Sequence, residues 1–177
     1  MAQVLFIKIQ DLKKNTVIDG NVDVDKLLPY VKIAQEIHIQ NFLGTKLYEK
    51  IIALITAGTL TTTDNPNYLT LVNKYVQPAL IHFAMMDYLP FAAYQVKNAG
   101  VFKHISENAE SVTKSEVDYL VNKEREFSEY YIRRMIDYLS FNNNLFPEYN
   151  QNSNEDVYPD KDNLFNGWVY EKIQSKK

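Results

Sequence analysis

The sequence has no cysteine and only 5 glycines in 177 residues. Without cysteine there are no disulfides, no thiolate nucleophile and no cysteine-ligated zinc. A reducing compartment fits that composition. With so few glycines there is no GxGxxG and no GxxxxGK(S/T), so phosphate-cradling loops are not expected. A GxSxG elbow, an HExxH and paired Glu-x-x-His motifs are missing as well. No apolar run approaches the ~20 residues that span a bilayer. The opening "MAQVLFIKIQDLKK" carries its positive charge after the apolar run and has no small-residue cleavage site, so it does not read as a signal peptide. With 19 basic against 22 acidic residues the net charge is −3, and no basic stripe suited to nucleic acid is visible. No internal repeat occurs.

What is present suits one domain with a real core: 46% hydrophobic and 23% charged residues. The fold class expected is mainly α, a bundle of four to five helices over residues 21–143. Residues 1–20 form a short strand or arm, and residues 144–177 form an extended C-terminal arm. Val4 to Ile9 is β-branched and aromatic, a strand candidate closed by the Asp19-Gly20 turn. From Asp25 the period becomes helical, with Leu27, Leu28, Val31, Ala34, Ile37 and Phe42 on one stripe. Pro29 lies near the start, where a missing N–H does little harm. Gly44 suits the residue just past a helix end, and Thr45 suits the cap of the next helix. That helix carries Leu47, Tyr48, Ile51, Leu54 and Ile55 and stops at Gly58.

Asn65 followed by Pro66 reads as an N-cap with proline at the first helical position. The long helix after it, Leu69 to Tyr94, is apolar over most of its circumference and is expected at the centre of the bundle. Pro78 and Pro90 should kink or split it. Asn98 to Val112 reads as a loop, with Gly100 as a helix C-cap. Thr113-Lys114-Ser115-Glu116 is a capping box that opens the last long helix, which the Asn run at 142–144 ends.

Candidates for chemistry are thin, and no catalytic, cofactor-binding or metal-binding residues are assigned. His82 and Asp87 face different sides of one helix, Glu36 and His38 point apart, and His104 meets Glu107 only if their loop is helical. Charges alternate along the last helix, as on a solvated face. Tyrosine is the unusual number, 13 against 9 Phe and 1 Trp. Its ring and hydroxyl suit wet boundaries and interfaces. The C-terminal arm spaces Phe146, Tyr149, Tyr158, Phe165, Trp168 and Tyr170 among Asn and Asp. Such anchors are expected to bind a partner chain, the competing reading being that the arm folds back across its own bundle.

Three segments share a further likeness: "GNVDVDKLLPYVKIAQEIHIQNFLGTKLYEKI", "YLTLVNKYVQPALIHFAMMDYLPFAAYQVKNAGV" and "SENAESVTKSEVDYLVNKEREFSEYYIRRMIDYLSFNNNLFPEY". With its "FLG..LYEKI" and "FPEY" patterns the sequence resembles the ring, or head-to-tail adaptor, proteins of crAss-like phages of Bacteroides. The resemblance covers about Gly20 to Tyr149. It implies a structural virion protein at the portal vertex, made in the host cytoplasm. Such proteins form a homo-oligomeric ring, typically a dodecamer, under the portal protein and dock adjacent tail or ring proteins. DNA passes through the channel without sequence-specific binding. The resemblance makes Val101, Phe102, Lys103 and His104 a portal- or channel-facing loop. The competing expectation is a small helical adaptor or regulatory module that binds a host or phage protein.

Overall fold

The computed structural model describes residues 4–18, 22–92, 94–97, 100–103, 113–151 and 156–161, with backbone alone for 95–97 and 100–103. The protein is a mainly helical bundle. Its helices are α1 (Ile9–Asn15), α2 (Val24–Ala34), α3 (Gln40–Thr56), α4 (Pro66–Leu71), α5 (Gln77–Tyr88) and α6 (Lys114–Phe141). Between α5 and α6 stands an antiparallel hairpin of β1 (Tyr94–Lys97) and β2 (Gly100–Lys103). α5 is the central element, packed against both α2 and α6. It buries Ala79, Leu80, Ile81, Phe83, Ala84 and Met85, which point in several directions from one helix, as its all-round apolar sequence requires.

Two π turns set the helical phases. Gln35–Ile39 joins α2 to α3, and Val72–Val76 joins α4 to α5. In each, a backbone N–H reaches five residues back: Gln40 to Gln35, and Gln77 to Val72. A π turn holds one extra residue, so the apolar stripe steps by five rather than four. The buried series is therefore Leu27, Val31, Ala34, Ile39, Leu43. Ile37, expected on that stripe, is 61% exposed for this reason. Pro78 is the second residue after the second π turn, and Pro90 lies in a 3-10 turn (Leu89–Phe91) that ends the rod. Both prolines thus sit where the regular helix is interrupted. Pro29 lies in the second turn of α2 rather than the first.

Other local expectations fail because a longer-range partner wins. Asn65 does not cap α4; its amide donates to the Thr59 carbonyl at 2.8 Å. Tyr94 and Gly100, expected in the helix and at its C-cap, belong to the hairpin instead. Val4 to Lys8 is neither a strand nor a projecting arm. Phe6 and Ile7 are buried in the core, and α1 begins at Ile9 with the Asp11 carboxylate accepting from Lys8 N–H at 3.1 Å.

That N-terminal segment is held by two side-chain amides. Gln35, fully buried, accepts from Phe6 N–H at 2.8 Å through Oε1. Its Nε2 donates to the Val4 carbonyl at 2.9 Å and to the Tyr48 hydroxyl at 3.0 Å. Gln77 Nε2 donates to the Phe6 carbonyl at 2.8 Å. The amides satisfy backbone groups that no strand partner serves. Gln35→Leu keeps the volume but orphans Phe6 N–H and the Val4 carbonyl. It should lower stability by about 2–4 kcal/mol, read as a fall in the urea midpoint at unchanged slope.

Candidate functional site

Of the C-terminal segment, residues 143–151 and 156–161 pack back on the bundle of their own chain. After α6 come two 3-10 turns, Asn143–Leu145 and Pro147–Tyr149. Phe146 and Tyr149 are 0% and 1% exposed. Phe146 meets the Tyr68 ring edge-on at 5.2 Å and the Tyr138 ring at 5.8 Å. Tyr68 donates its hydroxyl to Glu148 at 2.7 Å. Burial, and then the bond and charge of Glu148, push the Tyr68 hydroxyl far above its usual range. Phe146 and Tyr149 are therefore core residues of this chain, not free anchors for another. Burying two large rings at home outweighs leaving them exposed on an arm.

Residues 156–161 form a strap. Thr45 N–H donates to the Val157 carbonyl at 3.0 Å, and Val157 N–H returns a bond to Thr45 Oγ1 at 2.9 Å. The Thr45 hydroxyl thus serves the strap rather than capping its own helix. Asp160 N–H donates to the Asn41 carbonyl at 2.9 Å. Between these bonds the Pro159 ring fills a notch at Gly44. Gly44 has φ +73°, which breaks α3 into two helical pieces as its sequence suggests. A Cβ there would stand 2.6 Å from Pro159 Cδ and Cγ. Lys161 closes the strap, donating to Asn150 at 2.9 Å with its ammonium 4.5 Å from the Tyr149 ring centroid. Of the remaining expected anchors, Tyr158 is exposed, while Phe165, Trp168 and Tyr170 lie outside the described residues.

α6 carries the second candidate surface. Thr113 and Glu116 form the expected capping box: Thr113 N–H donates to Glu116 Oε2 at 2.7 Å, and Glu116 N–H to Thr113 Oγ1 at 3.4 Å. The Thr113 backbone N–H, and then the Thr113 hydroxyl donating to the same Oε2 at 2.7 Å, hold the Glu116 carboxyl below its usual range. The C-terminal half of α6 buries Ser128, Ile132, Met135, Ile136 and Leu139. Val117 and Val121 continue the same stripe toward the N-terminus but are only half-buried. Leu120 and Phe127 are exposed on the flank of this stripe, and Tyr119 and Tyr130 are exposed on the opposite side of the helix. At 1.5 Å per residue, Lys114 to Phe127 is about 20 Å of helix whose apolar side is thinly covered. The flanking charges behave as a solvated face, with Lys123 on Glu126 at 2.7 Å.

The expected portal- or channel-facing residues fall partly on the hairpin. Val101, Phe102 and Lys103 stand on β2 opposite Val96, Gln95 and Tyr94. His104, like Glu107, lies outside the described residues.

Sequence reasoning missed the partners of two histidines, because both lie on other helices. His38 Nε2 meets Asp87 at 3.2 Å and stacks on Phe83 with centroids 4.3 Å apart. His82 Nδ1 meets Glu124 at 2.7 Å and lies parallel to Tyr131. These pairs tie α5 to the α2–α3 junction and to α6. His82 and Tyr131 also line a polar cleft of about 300 Å³ with Asp11, Asn15, Asn73 and Gln77. Among the described residues no group of three or more His, Asp or Glu could hold a metal ion. None of the described helices is long and apolar enough to cross a membrane.

Residues 39–159 match the model of DUF6712, a family of unknown function, and the chain belongs to that family. The matched span includes both Gly44 and Pro159, the two sides of the notch. No curated protein and no solved structure matches the chain.

Gly44→Ala places a Cβ against the Pro159 ring at a left-handed φ. It should cost about 1–3 kcal/mol in chemical denaturation.

Tyr149→Phe should have the opposite sign. The Tyr149 hydroxyl is buried without a hydrogen-bond partner among the described residues. Removing it should stabilise by about 1 kcal/mol. Burial first, then the charges of Asp160 and Tyr158, push this hydroxyl up to about 12 from 10.0. A raised pKa favours the native state fully below the unfolded value and loses that contribution as pH rises from 10 toward 12. The alkaline fall in melting temperature should therefore be shallower in the phenylalanine variant.

Proposed function

We propose that this chain is a structural virion protein, a head-to-tail ring adaptor that assembles under the portal, extends the DNA channel and docks tail components. The observation that carries the proposal is the N-terminal half of α6. Its apolar stripe is only half-buried at Val117 and Val121, Leu120 and Phe127 stand exposed on its flank, and Tyr119 and Tyr130 are exposed on the opposite side of the helix. Large exposed aromatic residues concentrated on one helix suit a protein interface. A heterologous contact of this face with a different face of the next copy closes a ring when the rotation permits. The likeness of the "FLG..LYEKI" and "FPEY" segments to ring proteins of crAss-like phages supports the same reading.

In this assembly the partners are further copies of the chain, the portal protein and the adjacent tail or ring proteins. The β1–β2 hairpin, with Val101, Phe102 and Lys103, and the following His104 face the portal or the channel. A net charge of −3 suits a channel through which DNA slides without sticking.

Leu120→Asp tests the interface. The residue is exposed, so the variant should keep wild-type helicity and melting temperature while failing to assemble on purified portal. Wild-type complexes should carry many copies of the chain per portal, counted by mass. Normal rings from the variant would overturn the role of α6. Wild-type complexes that hold a single copy or a dimer would favour a small helical adaptor module instead.

A further inference from the structure

The polar cleft beside His82 holds a surplus of hydrogen-bond acceptors. Asp11 and Asn15 line it from α1, Asn73 from the second π turn, Gln77 and His82 from α5, and Tyr131 from α6. Its amide donors are already engaged within the chain. Asn15 Nδ2 donates to the Asp11 carbonyl at 2.7 Å, and Gln77 Nε2 to the Phe6 carbonyl at 2.8 Å. Each amide keeps its oxygen as an acceptor. His82 Nδ1 donates to Glu124 at 2.7 Å, so the neutral ring offers Nε2 as a further acceptor. Asp11 adds a carboxylate. Its Oδ2 holds Lys8 N–H at 3.1 Å, and a carboxylate has acceptor sites to spare.

The backbone contributes as well. Across the second π turn Gln77 N–H reaches Val72 rather than Asn73. The next residue is Pro78, which has no N–H, so the Asn73 carbonyl has neither its α-helical nor its π-helical donor. Asn73 and Pro78 both line the cleft, which puts this carbonyl at its wall. No lysine or arginine is among the lining residues. Arg134, one turn along α6 from Tyr131, is turned onto the Tyr75 and Tyr130 rings at 5.6 and 5.7 Å. Such a cleft favours a donor-rich cation over phosphate or carboxylate. Its lining holds too few metal-binding side chains for a metal ion, which leaves an organic cation. The His82 and Tyr131 rings, parallel within 7° at 5.6 Å between centroids, form a wall that suits a planar one.

We propose that this cleft is a binding site for a guanidinium group. The planar fork of N–H donors matches a carboxylate flanked by amide and carbonyl oxygens, and its flat face lies against the aromatic wall. A lysine ammonium, a compact point charge, uses neither feature. At about 300 Å³ the cleft is at the small end of ligand sites, the size for one such group and its stem. The site lies where a π turn and a proline interrupt the rod, and the interruption supplies the open carbonyl. The proposal stands apart from ring assembly.

The test uses the full-length protein and N-acetyl-arginine amide at about pH 8, above the ordinary histidine range. The chain has 3 histidines, so the imidazole NMR signals of His82 can be followed individually. They should shift saturably with the arginine probe and need about tenfold more N-acetyl-lysine amide for the same shift. Asp11→Asn keeps an oxygen for Lys8 N–H and should weaken binding of the arginine probe about tenfold. Asn73 is exposed, so Asn73→Lys should keep wild-type helicity and melting temperature. It sets an ammonium at the cleft and should weaken binding by at least as much. No saturable shift in the wild type, equal affinity for the lysine probe, or wild-type affinity in Asn73→Lys overturns the proposal. A Gly-Arg-Gly peptide separates two sources of the group. Tighter binding than the single amino acid assigns it to a protein segment, and equal or weaker binding assigns it to a free small molecule; either result supports the guanidinium site.

Discussion

The fully buried amide of Gln35 is the constraint on which the N-terminal half depends. A primary amide in a core is stable only if its oxygen and its N–H groups are used. Here the oxygen takes Phe6 N–H, and the nitrogen serves the Val4 carbonyl and the Tyr48 hydroxyl. Each partner is thereby fixed. Phe6 and Ile7 are drawn into the core without a strand to pair with, and Tyr48 is aligned for its 5.2 Å contact with the Phe6 ring. Gln35 opens one π turn and Gln77 follows the other directly. The departures from regular helix thus coincide with the side chains that grip the N-terminal segment.

The C-terminal closure follows the same logic through a different device. Gly44 provides the backbone conformation and the empty space that Pro159 fills, and the kink leaves Thr45 N–H open for Val157. The strap thus ties residues separated by 112 positions. Such a contact has a large loop-closure entropy to overcome and should form late in folding, after α3 and α6 have packed. Tyr149 offsets part of that entropy, buried with the Lys161 ammonium of the strap over its ring.

Much of the fold was legible because it rests on local chemistry. The capping box at Thr113, the positive-φ breaks at Gly44 and Gly58, and the all-round apolar character of α5 are written in single residues or one helical period. What was illegible depends on long-range competition. Ile37 is exposed because of one extra residue in a π turn, which hydrophobic spacing alone does not announce. Asn65 and Thr45 have the right chemistry to cap helices, yet Thr59 and Val157 take their side chains. Phe146 and Tyr149 look like anchors for a partner, and they are anchors, but the partner is the same chain. Aromatic spacing encodes the wish to be buried and says nothing about which surface will do it. The two histidine–carboxylate pairs were hidden for the same reason, since each spans two helices.

α6 links these two halves of the problem. Its C-terminal half and the segment after it are sealed by residues of this chain, down to the Tyr68–Glu148 bond. Its N-terminal half carries the same apolar stripe with far less to cover it. If propensity alone governed α6, its capping box would make both halves equally regular, and they are. What differs is only the supply of covering side chains. A helix stiffened at its start by a cap, and then left apolar and exposed, has already lost the backbone entropy that a disordered binding segment would lose on docking. That preorganisation makes the exposed half of α6 a better candidate for a contact between subunits than the C-terminal segment, whose first aromatic residues are already committed to the core.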